Sequence, residues 1–168
     1  MRAFKSALLL ALLPALAGLP AALADDSFYD VPAPGVKVDL GGYRLHLNCQ
    51  GEGSPTVVLD AGLGDWSTHW TAVQNLLKAD TRVCSYDRAG LGWSAVSAEP
   101  RTPEQIAQDL HNLLTTAGIQ PPYVLVGHSL GGKSIRLFTE LYPDEVSGLM
   151  FVDARHESVE PTDRTPEQ

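Results

Sequence analysis

Basic residues are scarce in this sequence: Lys and Arg number 12 against 20 Asp and Glu, a formal net charge of −8. A nucleic-acid surface needs clustered cations to displace counterions from phosphates, so this balance argues against that partner. Metal-ligand spacing of Cys and His is missing, as is a glycine-rich phosphate loop, so no metal and no cofactor is implied. No internal repeat or low-complexity stretch follows residue 24. No apolar run reaches the roughly 20 residues needed to cross a bilayer. The run that comes nearest, Ala7 to Leu19, is interrupted by Pro14 and Gly18. What is present is ordinary: 168 residues, 44% hydrophobic and 19% charged, the composition of one globular domain.

The first segment reads as an address. Arg2 and Lys5 give a positive start, the apolar run follows, and Ala22-Leu23-Ala24 places small residues just before Asp25-Asp26. That is the plan of a secretory signal peptide cleaved after Ala24, with an uncleaved anchor as the alternative. The expectation is a secreted or periplasmic protein with no stable membrane span after cleavage. In that compartment Cys49 and Cys84 could form a disulfide or stay as two buried thiols.

Residues 25–35, with two prolines, read as a surface arm. Val36 to Leu40 and Tyr43 to Leu47 alternate apolar and polar residues around Gly41-Gly42, a β-hairpin signal. Then the pattern changes. Pro55 to Leu59, Arg82 to Tyr86, Tyr123 to Val126 and Val146 to Val152 are short apolar runs, the pattern of strands buried on both faces of a parallel sheet. Helices separate them. One has an apolar face of Trp70, Val73, Leu76 and Leu77. The next starts at Thr102 as N-cap with Pro103 and a capping box closed by Gln105, carries Ile106, Leu110, Leu113 and Leu114, and stops at Gly118. A third carries Ile135, Leu137, Phe138 and Leu141 and ends at Pro143. Strand–helix alternation of this kind predicts an α/β fold with a mostly parallel sheet covered on both faces.

Gly127-His128-Ser129-Leu130-Gly131 falls where a buried strand must turn sharply into a helix. There a serine is held in a strained backbone conformation, and its neighbours two residues away must lack side chains; Gly127 and Gly131 meet that need. The alternative is a serine N-cap with glycines present for close packing.

Tyr123 to Gly132 (YVLVGHSLGG) resembles the nucleophile region of the α/β-hydrolase superfamily. Leu59 to Trp70 (LDAGLGDWSTHW) and Tyr86 to Ser94 (YDRAGLGWS) are similar to two further family stretches, in the same order. The resemblance, which runs from about Val36 to Glu157, is to bacterial esterase-, lipase- and peptidase-like members. It implies that Ser129 is a catalytic nucleophile toward a small-molecule acyl substrate. It also implies an oxyanion hole made by the backbone N–H groups of Leu63 and Leu130. Ala61-Gly62 stands where members often have His-Gly. His128, beside the serine, is expected to be structural or pocket-lining. Asp87, Arg88, Gly90 and Gly92 are expected to form a structural turn, with Trp93 and Ser94 packing there. In the resembled fold the second strand lies antiparallel beside the one holding Cys84, which implies a Cys49–Cys84 disulfide.

The resemblance also marks what is not found. Members carry their acid and histidine after the serine, usually beyond a lid and two last strands, which are absent here. Asp153 and His156 are weak candidates for those roles. The expected organisation is a signal peptide over 1–24, an arm over 25–35, an incomplete core over 36–157, and the start of a lid or a truncated tail over 158–168. The functional expectation is a serine hydrolase of carboxylic esters or related acyl compounds. The alternative is an inactive fragment or a binding protein with a hydrolase-like core.

Overall fold

A computed structural model describes residues 31–154; the expected signal peptide, most of the expected arm, His156 and the expected tail lie outside the described residues. Contacts divide the chain into units 1–32 and 33–168, and the fold described is that of the second. It contains β1 (Val36–Asp39), β2 (Arg44–Gln50), β3 (Thr56–Asp60), α1 (Thr71–Leu77), β4 (Val83–Tyr86), α2 (Pro103–Thr116), β5 (Tyr123–His128), α3 (Gly131–Leu141) and β6 (Val146–Val152). The strands form one sheet in the order β1-β2-β4-β3-β5-β6. β1 and β2 make the antiparallel hairpin, with Val38 opposite Leu45 and positive φ at both turn glycines. β2 runs antiparallel to β4, and β4, β3, β5 and β6 are parallel.

The short apolar runs are central strands: Val58, Leu59, Val83 and Leu125 are fully buried. On one face the sheet packs Leu45, Tyr86 and Leu125 against Leu110, Leu113 and Leu114 of α2 and Phe138 of α3. On the other, Leu59, Val83 and Val126 pack with Trp70. Cys49 lies opposite Cys84 across the β2–β4 ladder, and the two are joined with their Cα atoms 4.0 Å apart.

Three local expectations need correction. The Thr102 hydroxyl accepts from Gln105 N–H at 3.2 Å, as an N-cap should. The Gln105 side chain does not complete the box, because its Nε2 donates instead to Asp109 Oδ1 at 2.8 Å. The apolar face assigned to the first helix is buried only in part: Trp70 and Leu77 pack on the core, whereas Leu76 is 76% and Val73 37% exposed. Trp70 closes a 3₁₀ turn over Ser67–Trp70, and Gln74 and Leu77, four and seven residues on, share its inward face. The buried residue of α1 is Gln74, whose Nε2 donates to Asn48 O (2.7 Å) and Val83 O (3.0 Å) while Oε1 accepts from Ser85 Oγ (2.9 Å). One amide thereby serves three polar groups on β2 and β4. Gln74→Leu should therefore cost about 3 kcal/mol, roughly one per lost bond. Urea unfolding measures it, and a loss under about 1 kcal/mol would refute the assignment.

Finally, β6 is not buried on both faces. Leu149, Met150, Phe151 and Val152 are 38–57% exposed. Among the described residues β6 pairs only with β5, so its outer edge has no neighbouring strand.

Candidate active site

β5 ends at His128 and α3 begins at Gly131, which leaves two residues to reverse the chain. Ser129 makes that turn with φ +50°, a left-handed conformation that a side chain rarely adopts. Its N–H donates to Val152 O at 3.2 Å and its carbonyl accepts from Gly132 N–H at 3.1 Å, so both neighbouring elements hold the strain in place. The flanking glycines are steric necessities. A Cβ at Gly127 would lie 2.6 Å from Gly131 C and O and from Gly132 N. At Gly131 it would lie 2.5 Å from Asp60 O and 2.9 Å from Ala61 O. Every obstructing atom is backbone, so no rotamer change could make room.

Around this serine, two amides are free to act. The N–H groups of Leu63 and Leu130 make no hydrogen bond among the described residues. Leu130 stands at the start of α3, where unpaired amides and the helix dipole favour an anion. Leu63 lies in the loop after β3, its side chain 76% exposed. Both residues line one cavity of about 210 Å³, whose walls are chiefly apolar and include Ala89, Leu91, Pro100 and Ile106.

Beneath the loop is a buried ion pair. Arg88 Nη1 donates to Asp60 Oδ1 at 2.7 Å and to Ala61 O at 2.5 Å; Nη2 donates to Gly62 O and, at 3.3 Å, to Asp65 O. Burial pushes the Asp60 pKa up, against the pull of the Arg88 guanidinium. The same burial, with Asp60 adjacent, holds the Tyr86 hydroxyl well above its usual pKa.

A second buried pair fixes the turn after β4. His46 Nδ1 lies 3.0 Å from Asp87 Oδ2 and both side chains are fully buried. Asp87 also accepts from the N–H groups of Ser67 and Trp93, each at 2.8 Å, and Ser94 Oγ donates to Asp87 O at 2.6 Å. Asp87, Trp93 and Ser94 are thus turn and packing residues, as expected. Burial opposes the Asp87 charge, but the donors from His46, Ser67 and Trp93 outweigh it and hold its pKa below the ordinary 3.8. A carboxyl whose folded pKa is lowered gives its full stabilisation above the unfolded pKa and loses it as pH falls through the folded one. Unfolding free energy should therefore drop as the pH falls below about 4, and Asp87→Asn should flatten that slope. Equal slopes in chemical denaturation of both proteins would rule out this linkage.

His128 is half-buried beside the loop: a Cβ at Gly62 would lie 2.9 Å from its Nδ1. Asp65 stands between His128 (3.9 Å) and His69 (3.3 Å). His128 thus packs against the loop after β3. No described histidine hydrogen-bonds to Ser129. Asp153 follows β6, exposed, with φ +44°, and no described hydrogen bond links it to Ser129. His156 lies outside the described residues. The pairing of Arg88 with Asp60 and the loop carbonyls, and that of His46 with Asp87, had no counterpart in the sequence reading. The only local signal was a charged Asp87-Arg88 turn closing a buried strand.

The family described as alpha/beta hydrolase fold matches residues 55–168. The chain is 35% identical over 132 residues to the "Probable transporter efuK" of Hormonema carpetanum, covering 74% of this chain and 19% of that protein. It is 36% identical over 107 residues to an "AB hydrolase superfamily protein" of Gibberella zeae (61% and 33%). The structure of a thermophilic esterase from Thermogutta terrifontis superposes with TM-score 0.68 at 32% identity, covering 75% of this chain and 47% of the esterase. The chain spans less than half the length of each of these relatives. With a strand-to-helix serine turn, a mostly parallel sheet and a family match over residues 55–168, this chain belongs to the alpha/beta hydrolase family.

Proposed function

We propose that the whole protein is a serine hydrolase of carboxylic esters or related small acyl compounds, with Ser129 as nucleophile. The observation that carries this is the left-handed turn at Ser129 between two glycines that no larger residue could replace. A strained position of this kind persists where function requires it. Ser129 Oγ adds to the ester carbonyl carbon while its proton passes to a general base. The carbonyl π electrons move to oxygen, which the Leu63 and Leu130 N–H groups hold. Collapse expels the alcohol, which takes that proton, and water then releases the acid by the same route. The general base belongs to the part of the protein outside the described residues. The apolar cavity beside both amides suits the hydrocarbon part of a small acyl substrate. The likeness to an esterase supports the same class.

The test is to incubate the whole protein with p-nitrophenyl butyrate and, separately, with an alkyl fluorophosphonate. Turnover and a phosphonate adduct mapped to Ser129 are expected. No turnover and no adduct would end this reading. The leader and the disulfide together support export, since disulfides persist in oxidising compartments. N-terminal sequencing of the exported protein should begin at Asp25, and a chain still beginning at Met1 would remove that part.

A further inference from the structure

Arg88 is 7% exposed, and three of its four acceptors are main-chain carbonyls of one loop: Ala61, Gly62 and Asp65. An arginine whose role was only to neutralise Asp60 would need none of them. The Gly62–Leu63 peptide is trans, as no cis bond is found there, so Gly62 C=O and Leu63 N–H point in opposite directions. Drawing that carbonyl toward the guanidinium turns the Leu63 N–H away from it. The other side of the loop is also constrained. The His128 ring packs so closely on Gly62 that a Cβ would meet its Nδ1 at 2.9 Å and its Cε1 at 3.2 Å, which limits how the peptide can rotate. Leu63, Leu130 and Arg88 all border the same cavity, and α3 begins against Asp60 O and Ala61 O, so the loop is braced against the serine turn itself.

We propose that Arg88 is the positioning residue of the oxyanion loop: by holding the Gly62 carbonyl, its guanidinium aims the Leu63 N–H at the oxygen where negative charge develops. The inference rests on the Ser129 reading and adds a residue distant from it in sequence. A guanidinium suits the task because its planar fork reaches several acceptors at once, whereas an ammonium is a point donor. The described hydrogen bonds of the guanidinium go to Asp60 and the loop carbonyls and none to Ser129, so its effect on the developing charge passes through one amide. Losing one such donor lowers kcat by about 10²–10³-fold.

The test uses two variants of the whole protein. Arg88→Lys keeps a charge beside Asp60 but cannot span the carbonyls. Asp60→Asn with Arg88→Met removes the buried pair together, leaving no uncompensated charge, and so guards against a failure to fold. Both should show kcat for p-nitrophenyl butyrate reduced about 10²–10³-fold with KM within about threefold of wild type. Affinity for an alkyl trifluoromethyl ketone, whose adduct places an oxyanion at the same spot, should fall in parallel. A folded variant with kcat within about threefold of wild type, or a loss confined to KM, overturns the proposal. A wild-type protein with neither turnover nor phosphonate labelling fails the Ser129 reading instead, so the two failures are distinct.

Discussion

Ser129→Ala lowers kcat for ester hydrolysis on the order of 10⁶-fold while leaving KM and stability almost unchanged. The size follows from what is removed. Without the hydroxyl no acyl-enzyme can form, and the remaining acceleration comes from the oxyanion amides and binding alone, which water must then exploit directly. Stability stays level because alanine at φ +50° carries the same backbone strain as serine, and no described hydrogen bond to the hydroxyl is lost. The companion variant separates the two effects. Ser129→Gly should be equally inactive yet more stable by about 1 kcal/mol, since glycine adopts a left-handed φ without penalty. Stopped-assay rates and urea unfolding of the three proteins decide it. A residual rate within about a hundredfold of wild type in Ser129→Ala would mean that the nucleophile lies elsewhere.

What could be read from residues alone was whatever is local. The Gly41-Gly42 hairpin, the Thr102 cap and the serine turn each depend on a few adjacent residues, and each stands where the pattern put it. The disulfide needed topology: Cys49 and Cys84 are 35 residues apart and meet because β2 inserts antiparallel beside β4. The α1 face was only half legible, Trp70 and Leu77 but not Val73 and Leu76, for a related reason. Gln74 is buried to serve Asn48 O, Val83 O and Ser85 Oγ, groups on two other strands, and nothing near Gln74 in sequence announces them. For β6, the apolar run from Leu149 to Val152 encodes covering that the described residues do not supply, so the expected burial is not met. Arg88 escaped because most of its acceptors are main-chain carbonyls, which have no residue signature.

Removing the Cys49–Cys84 bond should cost about 4 kcal/mol of unfolding free energy, from the chain entropy of a loop closed over a separation of 35 residues. For a domain whose whole stability is on the order of 5–15 kcal/mol, that is a large share. The position of the bond sharpens the expectation. In the strand order, β1 reaches the rest of the sheet only through β2, and β2 reaches it only through β4. The disulfide is the covalent tie across that single ladder, assisted by Gln74 on Asn48 O and by the His46–Asp87 pair. If the gain is mainly in the unfolded state, Cys49→Ala with Cys84→Ala should lower the urea midpoint and also raise m, because the open chain exposes more surface. If the gain is mainly native packing around the fully buried Cys84, m should stay fixed. Local opening is a third readout, with amide exchange in β1 and β2 accelerating before that in β3 and β5. A loss under about 1 kcal/mol, with exchange unchanged in the hairpin, would mean that hydrogen bonds and packing alone hold the β2–β4 ladder closed.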